Sequence, residues 1–203
     1  MMKKFYFTIL FYSLFVIIFS FPCFAGCLVF SKPEFKGKVI DTETKQPIEG
    51  AVVVAIYNKD PIISGPAGGG SSIIHIKEVL TDGKGEFRIP AYTTLMGPNS
   101  REGITDFIIY KRGYGNYPGL HTSPPPQVHR EKIFSQEIGT KGEINLRSFT
   151  YGVVELPKLL TWEERRRASR NSISGHIPES VYPLLSEEIA KERKWLRTNI
   201  KRR

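Results

Sequence analysis

Two hydrophobic rhythms divide the chain near residue 157. Before it, apolar residues alternate with polar ones, or gather in short runs, between Gly, Pro and Asp; after it the period changes and helix-start and helix-end signals take over. "FKGKVID" predicts a first strand. "TETKQPIEG" is a polar connection, and "AVVVAIY" predicts a second strand whose β-branched density suits a surface buried on at least one side. Pro- and Gly-rich residues 58–72 read as an insertion, followed by a third strand in "IIHIKEVL". In "TDGKGEFRIP" a tight turn over residues 82–85 leads into a strand that points Phe87 and Ile89 one way and Glu86 and Arg88 the other. "ITDFIIYKRGY", "EINLRSF" and "YGVVELPKL" complete about seven strands, the count and spacing of a β-sandwich. A second long loop, residues 115–142, interrupts them.

The tail follows different rules. "LTWEERRRASR" sets Thr161 three positions before Glu164, a capping box. "SEEIAKERKWLRTNIKRR" predicts a helix from Ser186, acidic at its start and basic at its end, as the helix macrodipole favours. Ile189, Trp195, Leu196 and Ile200 do not share one clean stripe, which leaves the packing partner of this helix open. The expected architecture is all-β: a sandwich over residues 35–156 with a helical basic tail over 157–203.

The first residues add a location. Lys3 and Lys4 precede an apolar run from Phe5 to Phe21, and Ala25 and Gly26 are small, which is the layout of a secretory signal over residues 1–26. The run also approaches the roughly 17–25 residues of a spanning helix, so an uncleaved inner-membrane anchor is the alternative. "FAGC", residues 24–27, resembles a bacterial lipobox, with Phe24 in place of the usual Leu. The chain has two cysteines, Cys23 and Cys27, and cleavage leaves Cys27 without a disulfide partner. Acylation of Cys27 gives that odd thiol a purpose and would tether the protein through residues 27–34. Ordinary cleavage after Ala25, giving a soluble periplasmic protein, is the rival. Leu28 lacks the acidic character of an inner-membrane retention signal, which points the expected lipoprotein to the outer membrane.

Charge narrows the partners. The chain carries 29 Lys and Arg against 20 Asp and Glu, a net +9. Such a balance attracts anionic lipid, acidic glycans or nucleic acid, and export argues against nucleic acid. The positives concentrate in "EERRRASR" and "KERKWLRTNIKRR", where a solvated helix face is the plain alternative to a membrane-surface element.

The strand-and-turn pattern is similar to a known family. "GKVIDTETKQPIEGAVVVAIY", then "TDGKGEFRI", then "YKRGY" resembles the carboxypeptidase regulatory-like domain. The resemblance rests on Pro47, Gly50, Ala51, Val53, Thr81, Asp82, Gly85, Phe87, Gly113 and Tyr114. It implies a seven-stranded, transthyretin-like Greek-key sandwich that serves as an accessory module. The insertions at 58–72 and 115–142, and the tail, depart from the family pattern.

Chemistry-bearing motifs are sparse. "SGPAGGGSS" lacks the Gly-Lys-Ser/Thr ending of a phosphate loop and opens no helix. "DGKGE" offers too few carboxylates for calcium. His121 and His129 share a loop, but no carboxylate or cysteine cluster accompanies them, so no metal or cofactor is expected. Residues 110–134 carry Tyr110, Arg112, Tyr114, Tyr117 and His121. Aromatics beside Arg are enriched where partners bind; alternatively, the loop covers its own sheet edge. The expected function is a non-enzymatic module of a bacterial cell envelope. Lipidated at Cys27, it would present its loops or basic tail to a protein or glycan. The alternative is a small periplasmic hydrolase or ligand-binding enzyme built on the His121–His129 loop.

Overall fold

The Val-rich run explains the layering. In the computed structural model, which describes residues 29–63, 70–119, 122–125, 128–144, 147–170 and 181–200, this run lies in β3 (Val52–Pro61). Its first six residues are all buried, because both faces are covered. Strands covered on both sides read as continuous apolar runs instead of alternating ones. Val53, Ala55 and Tyr57 face one hydrophobic cluster, and Val52, Val54 and Ile56 face another.

β3 is the centre of an antiparallel sheet, flanked by β4 (Ser72–Leu80) and β7 (Ser100–Tyr110). A second sheet has β2 (Phe35–Asp41) at its centre, antiparallel to β5 (Glu86–Ile89) and parallel to β10 (Val153–Leu156). Inward residues of both sheets form the main core, and Phe35 of β2 meets Phe107 of β7 edge-on at 5.0 Å. Two further antiparallel pairs complete the strands: β1 (Val29–Lys32) with the distant β6 (Tyr92–Leu95), and β8 (Lys141–Ile144) with β9 (Arg147–Thr150). Short α1 (Arg130–Ser135) plugs the core with Ile133 and Phe134.

The chain is mostly β, as expected, but the strand plan is richer. Ten strands stand among the described residues where the sequence suggests seven. Residues 29–32, expected to be tether, pair with β6 and bury Phe30 completely. Their alternation is only four residues long, too short to register beside the leader. "EINLRSF" is not one strand: it contributes to the β8–β9 hairpin. The expected insertion shrinks as β3 runs on to Pro61 and β4 begins at Ser72.

The quoted turn residues fasten the two sheets. Thr81 Oγ1 accepts from the Ala51 amide at 2.8 Å and donates to the Ile48 carbonyl at 2.7 Å. Asp82 Oδ1 accepts from the amides of Lys84 and Glu86, at 2.9 and 2.8 Å, fixing the turn into β5. Gly85 has φ of +73°, and a Cβ there would stand 2.5 Å from the Val39 carbonyl oxygen. A Cβ on Gly37 would sit 2.4 Å from the Phe87 ring, so this glycine lets Phe87 lie flat against β2.

The tail is part of this body. The capping box forms as expected at α2 (Trp162–Arg170): the Glu164 amide donates to Thr161 Oγ1 at 3.2 Å, and Glu164 Oε2 accepts from the Thr161 amide at 3.0 Å. α3 (Pro183–Ile200) starts earlier than Ser186, with Pro183 in its first turn, where a missing N–H costs nothing. Glu78 of β4 caps it from outside, accepting from the amides of Leu184 and Leu185 at 2.9 and 3.0 Å. Leu185, Ile189, Glu192 and Leu196 form its buried stripe, and Leu185 and Ile189 pack with Tyr182 on the outer face of β3. The leader, Cys27, His121 and residues 171–180 lie outside the described residues.

Candidate functional site

The tyrosines of the expected partner surface are mostly turned inward. Tyr110 ends β7, only 2% exposed, beneath α3 in the cluster with Val52, Val54 and Leu185. Burial and the carboxylates of Glu192 and Glu188 raise its hydroxyl well above the usual range. Tyr117 is fully buried, exchanges two backbone hydrogen bonds with Ile109 and meets Phe134 edge-on at 6.3 Å. Burial pushes its hydroxyl up to about 12. Tyr114 is half-buried and its hydroxyl donates to Asp41. These tyrosines therefore line and cover the protein's own sheets, and the expectation of an aromatic partner face is corrected for Tyr110 and Tyr117. Arg112 alone of the described set is exposed. His129, the companion of His121 in the alternative enzyme reading, is exposed and sits at the head of α1 without capping it. His75 stacks on Tyr92 at 4.5 Å and lies beside Tyr57 at 5.9 Å, and those two tyrosines meet each other at 5.0 Å. Burial and nearby Lys77 lower its pKa.

Arg112 instead belongs to a cleft that residue spacing in the chain conceals. The docking of α3 beside the end of β7 opens a cavity of about 720 Å³ lined by Lys111, Arg112, Glu188, Lys191, Lys194, Trp195, Thr198 and Asn199. Four of these are cations and one is a carboxylate. Glu188 is engaged by Lys191 at 2.9 Å, and Lys191 also reaches Glu187 at 2.8 Å. Those bonds raise the Lys191 pKa and keep the ammonium charged. Lys111 Nζ donates to the Gly50 carbonyl at 3.2 Å. Arg112 and Lys194 pair with no carboxylate among the described residues.

The floor of the cleft is braced. Arg165 of α2 lies over the Trp195 ring, 3.5 Å from its centroid, and its Nε donates to Glu192 Oε1 at 2.7 Å. Its Nη2 donates to the other oxygen of Glu192, completing a fork. Trp162 Nε1 donates to the Leu196 carbonyl at 3.1 Å. These contacts tie α2 to α3 and hold Trp195 in place. A smaller cleft of about 350 Å³ by β2 and β5 has balanced charge: Lys36 and Arg88 face Asp82 and Glu86.

The basic cleft had two separate traces in the sequence, the Lys111–Arg112 pair and the cationic tail. Residues 188, 191, 195 and 198 recur at intervals of three and four, so they share a helix face. Joining that face to the end of β7 requires knowing where α3 docks. Among the described residues no group of three or more His, Cys, Asp or Glu could hold a metal ion, and no helix is long and apolar enough to cross a membrane. Comparisons of the chain with protein-family models, curated proteins and solved structures gave no match.

Proposed function

We propose that this chain is a non-enzymatic binding module of a bacterial cell envelope. Its β core is a carboxypeptidase regulatory-like, seven-stranded Greek-key sandwich of transthyretin type, elaborated by two further strand pairs and α3. A lipid on Cys27 tethers it to the outer membrane, and the cleft between β7 and α3 receives a protein or glycan partner.

One observation supports this reading above others. The residues that carry the family resemblance are committed to structure, as Thr81, Asp82 and Gly85 are in their turns, while Arg112 and Lys194, at an open cleft, pair with no carboxylate among the described residues. Surface complementarity, with no bond making, is the mechanism such an arrangement suits.

Two measurements test the proposal. Intact mass of the processed protein from its native host is expected to carry a diacylglyceryl increment that Cys27→Ser abolishes. A mature mass without the lipid overturns the tether. A photo-crosslinker at position 112 is expected to capture one dominant envelope component, and the same probe at Lys84 is not. Equal capture from both positions overturns the cleft as the partner face.

A further inference from the structure

We infer that the cleft between β7 and α3 binds a hydroxyl-bearing phosphate ester, carried by a lipid headgroup or free in solution. This rests on the cleft being the partner face and goes beyond the protein-or-glycan reading by making a phosphate ester the group it takes. Four cations line the cavity against Glu188, whose charge is already engaged by Lys191. Arg112 and Lys194 are exposed and pair with no carboxylate among the described residues. A guanidinium fork together with ammonium point charges suits a phosphate, whose tetrahedral oxygens accept from several directions; a planar carboxylate is satisfied by one fork.

Acceptors beside the cations point to hydroxyls on the same ligand. Asn199 Nδ2 donates to the Trp195 carbonyl at 2.8 Å, which leaves its Oδ1 free of that bond to accept. The Thr198 hydroxyl donates back to the Lys194 carbonyl at 3.0 Å and keeps its lone pairs. Trp195, held from below by Arg165, offers a fixed apolar wall. A ligand that places hydroxyls next to a phosphate, such as a glycerol or sugar phosphate, uses all three features.

The test is amide exchange over residues 188–199 of the full chain. One arm adds glycerol phosphate to the protein in nonionic detergent. The other compares phosphatidylcholine vesicles with vesicles containing phosphatidylglycerol. Slower exchange in either arm is expected, and the responding arm identifies the source of the ester. The variant Arg112→Glu with Lys194→Glu should weaken the response roughly tenfold or more, a change of about 1.4 kcal/mol. The charge-matched variant Lys84→Glu with Lys141→Glu, at exposed lysines outside the cleft, should retain it. No response in either arm, or equal weakening by both variants, overturns the inference. One dominant crosslink from position 112 with no exchange response overturns only this inference; equal crosslinking from positions 112 and 84 overturns the partner-face reading on which it rests.

Discussion

Thr81 carries more of the fold than its size suggests. Its hydroxyl joins the Ile48 carbonyl and the Ala51 amide, both at the turn that delivers β3 to the core. Thr81→Val keeps the shape and strands both groups, so it should cost roughly 1–3 kcal/mol in urea unfolding. A loss below a few tenths would contradict the role given to it. Tyr117 makes the opposite case. Its hydroxyl is buried and finds no hydrogen-bond partner among the described residues. Tyr117→Phe should therefore be neutral or stabilise by about 1 kcal/mol, because the folded state no longer holds a desolvated, unpaired hydroxyl. A marked loss of stability would show that the hydroxyl has a partner. The two residues also mark how far the sequence reaches. A Thr-Asp turn before an alternating strand has a local signature, so Asp82 and Gly85 were legible. A tyrosine at the end of a strand or in a loop looks the same whether it faces solvent or the core, so the burial of Tyr110 and Tyr117 was not.

At the scale of elements, the legible features are those whose causes lie close in the chain. The α2 capping box is completed within four residues, and the alternation of "FKGKVID" and "EFRI" follows from the pleat. The position of α3 was not legible because its cap, Glu78, comes from β4 and its buried stripe is set by the face of β3. Glu78→Ala should weaken the start of α3 by about 1 kcal/mol. Faster amide exchange confined at first to residues 184–189 would report it, and unchanged exchange there would contradict the cap. β1 is held by another distant contact. Buried Lys32 bonds Glu102 at 2.9 Å and Glu131 of α1 at 2.7 Å. Burial acts to raise the Glu131 carboxyl, yet hydrogen bonds from Lys32 and the Thr105 amide bring it below its ordinary 4.5. A carboxyl depressed on folding contributes stability that is present above its unfolded value and lost as pH falls through the folded one. Glu131→Gln should therefore be less stable than the parent at neutral pH. Its stability should also fall less steeply below about pH 4.5 in denaturant titrations. Parallel acid limbs would contradict the assignment.

Over the whole molecule, the arrangement converts a basic tail into a wall of a binding site. β3 is buried on both sides because α3 covers its outer face, and the same docking sets Lys191, Lys194 and Trp195 beside Lys111 and Arg112. The fork between Arg165 and Glu192 locks the two tail helices together at a nearly solvent-free position. Removing one partner alone, as in Glu192→Ala, leaves a guanidinium largely buried and unpaired and should cost about 3–5 kcal/mol. Fold, cleft and proposed ligand thus depend on one contact between tail and sheet. Native-state hydrogen exchange across residues 183–200 of the full chain measures that contact directly. Protection of Leu185 and Ile189 comparable to that of Val52 and Val54 is the expected result, because these residues share one cluster. Exchange there as fast as in an unfolded chain, with β3 still protected, would contradict the account.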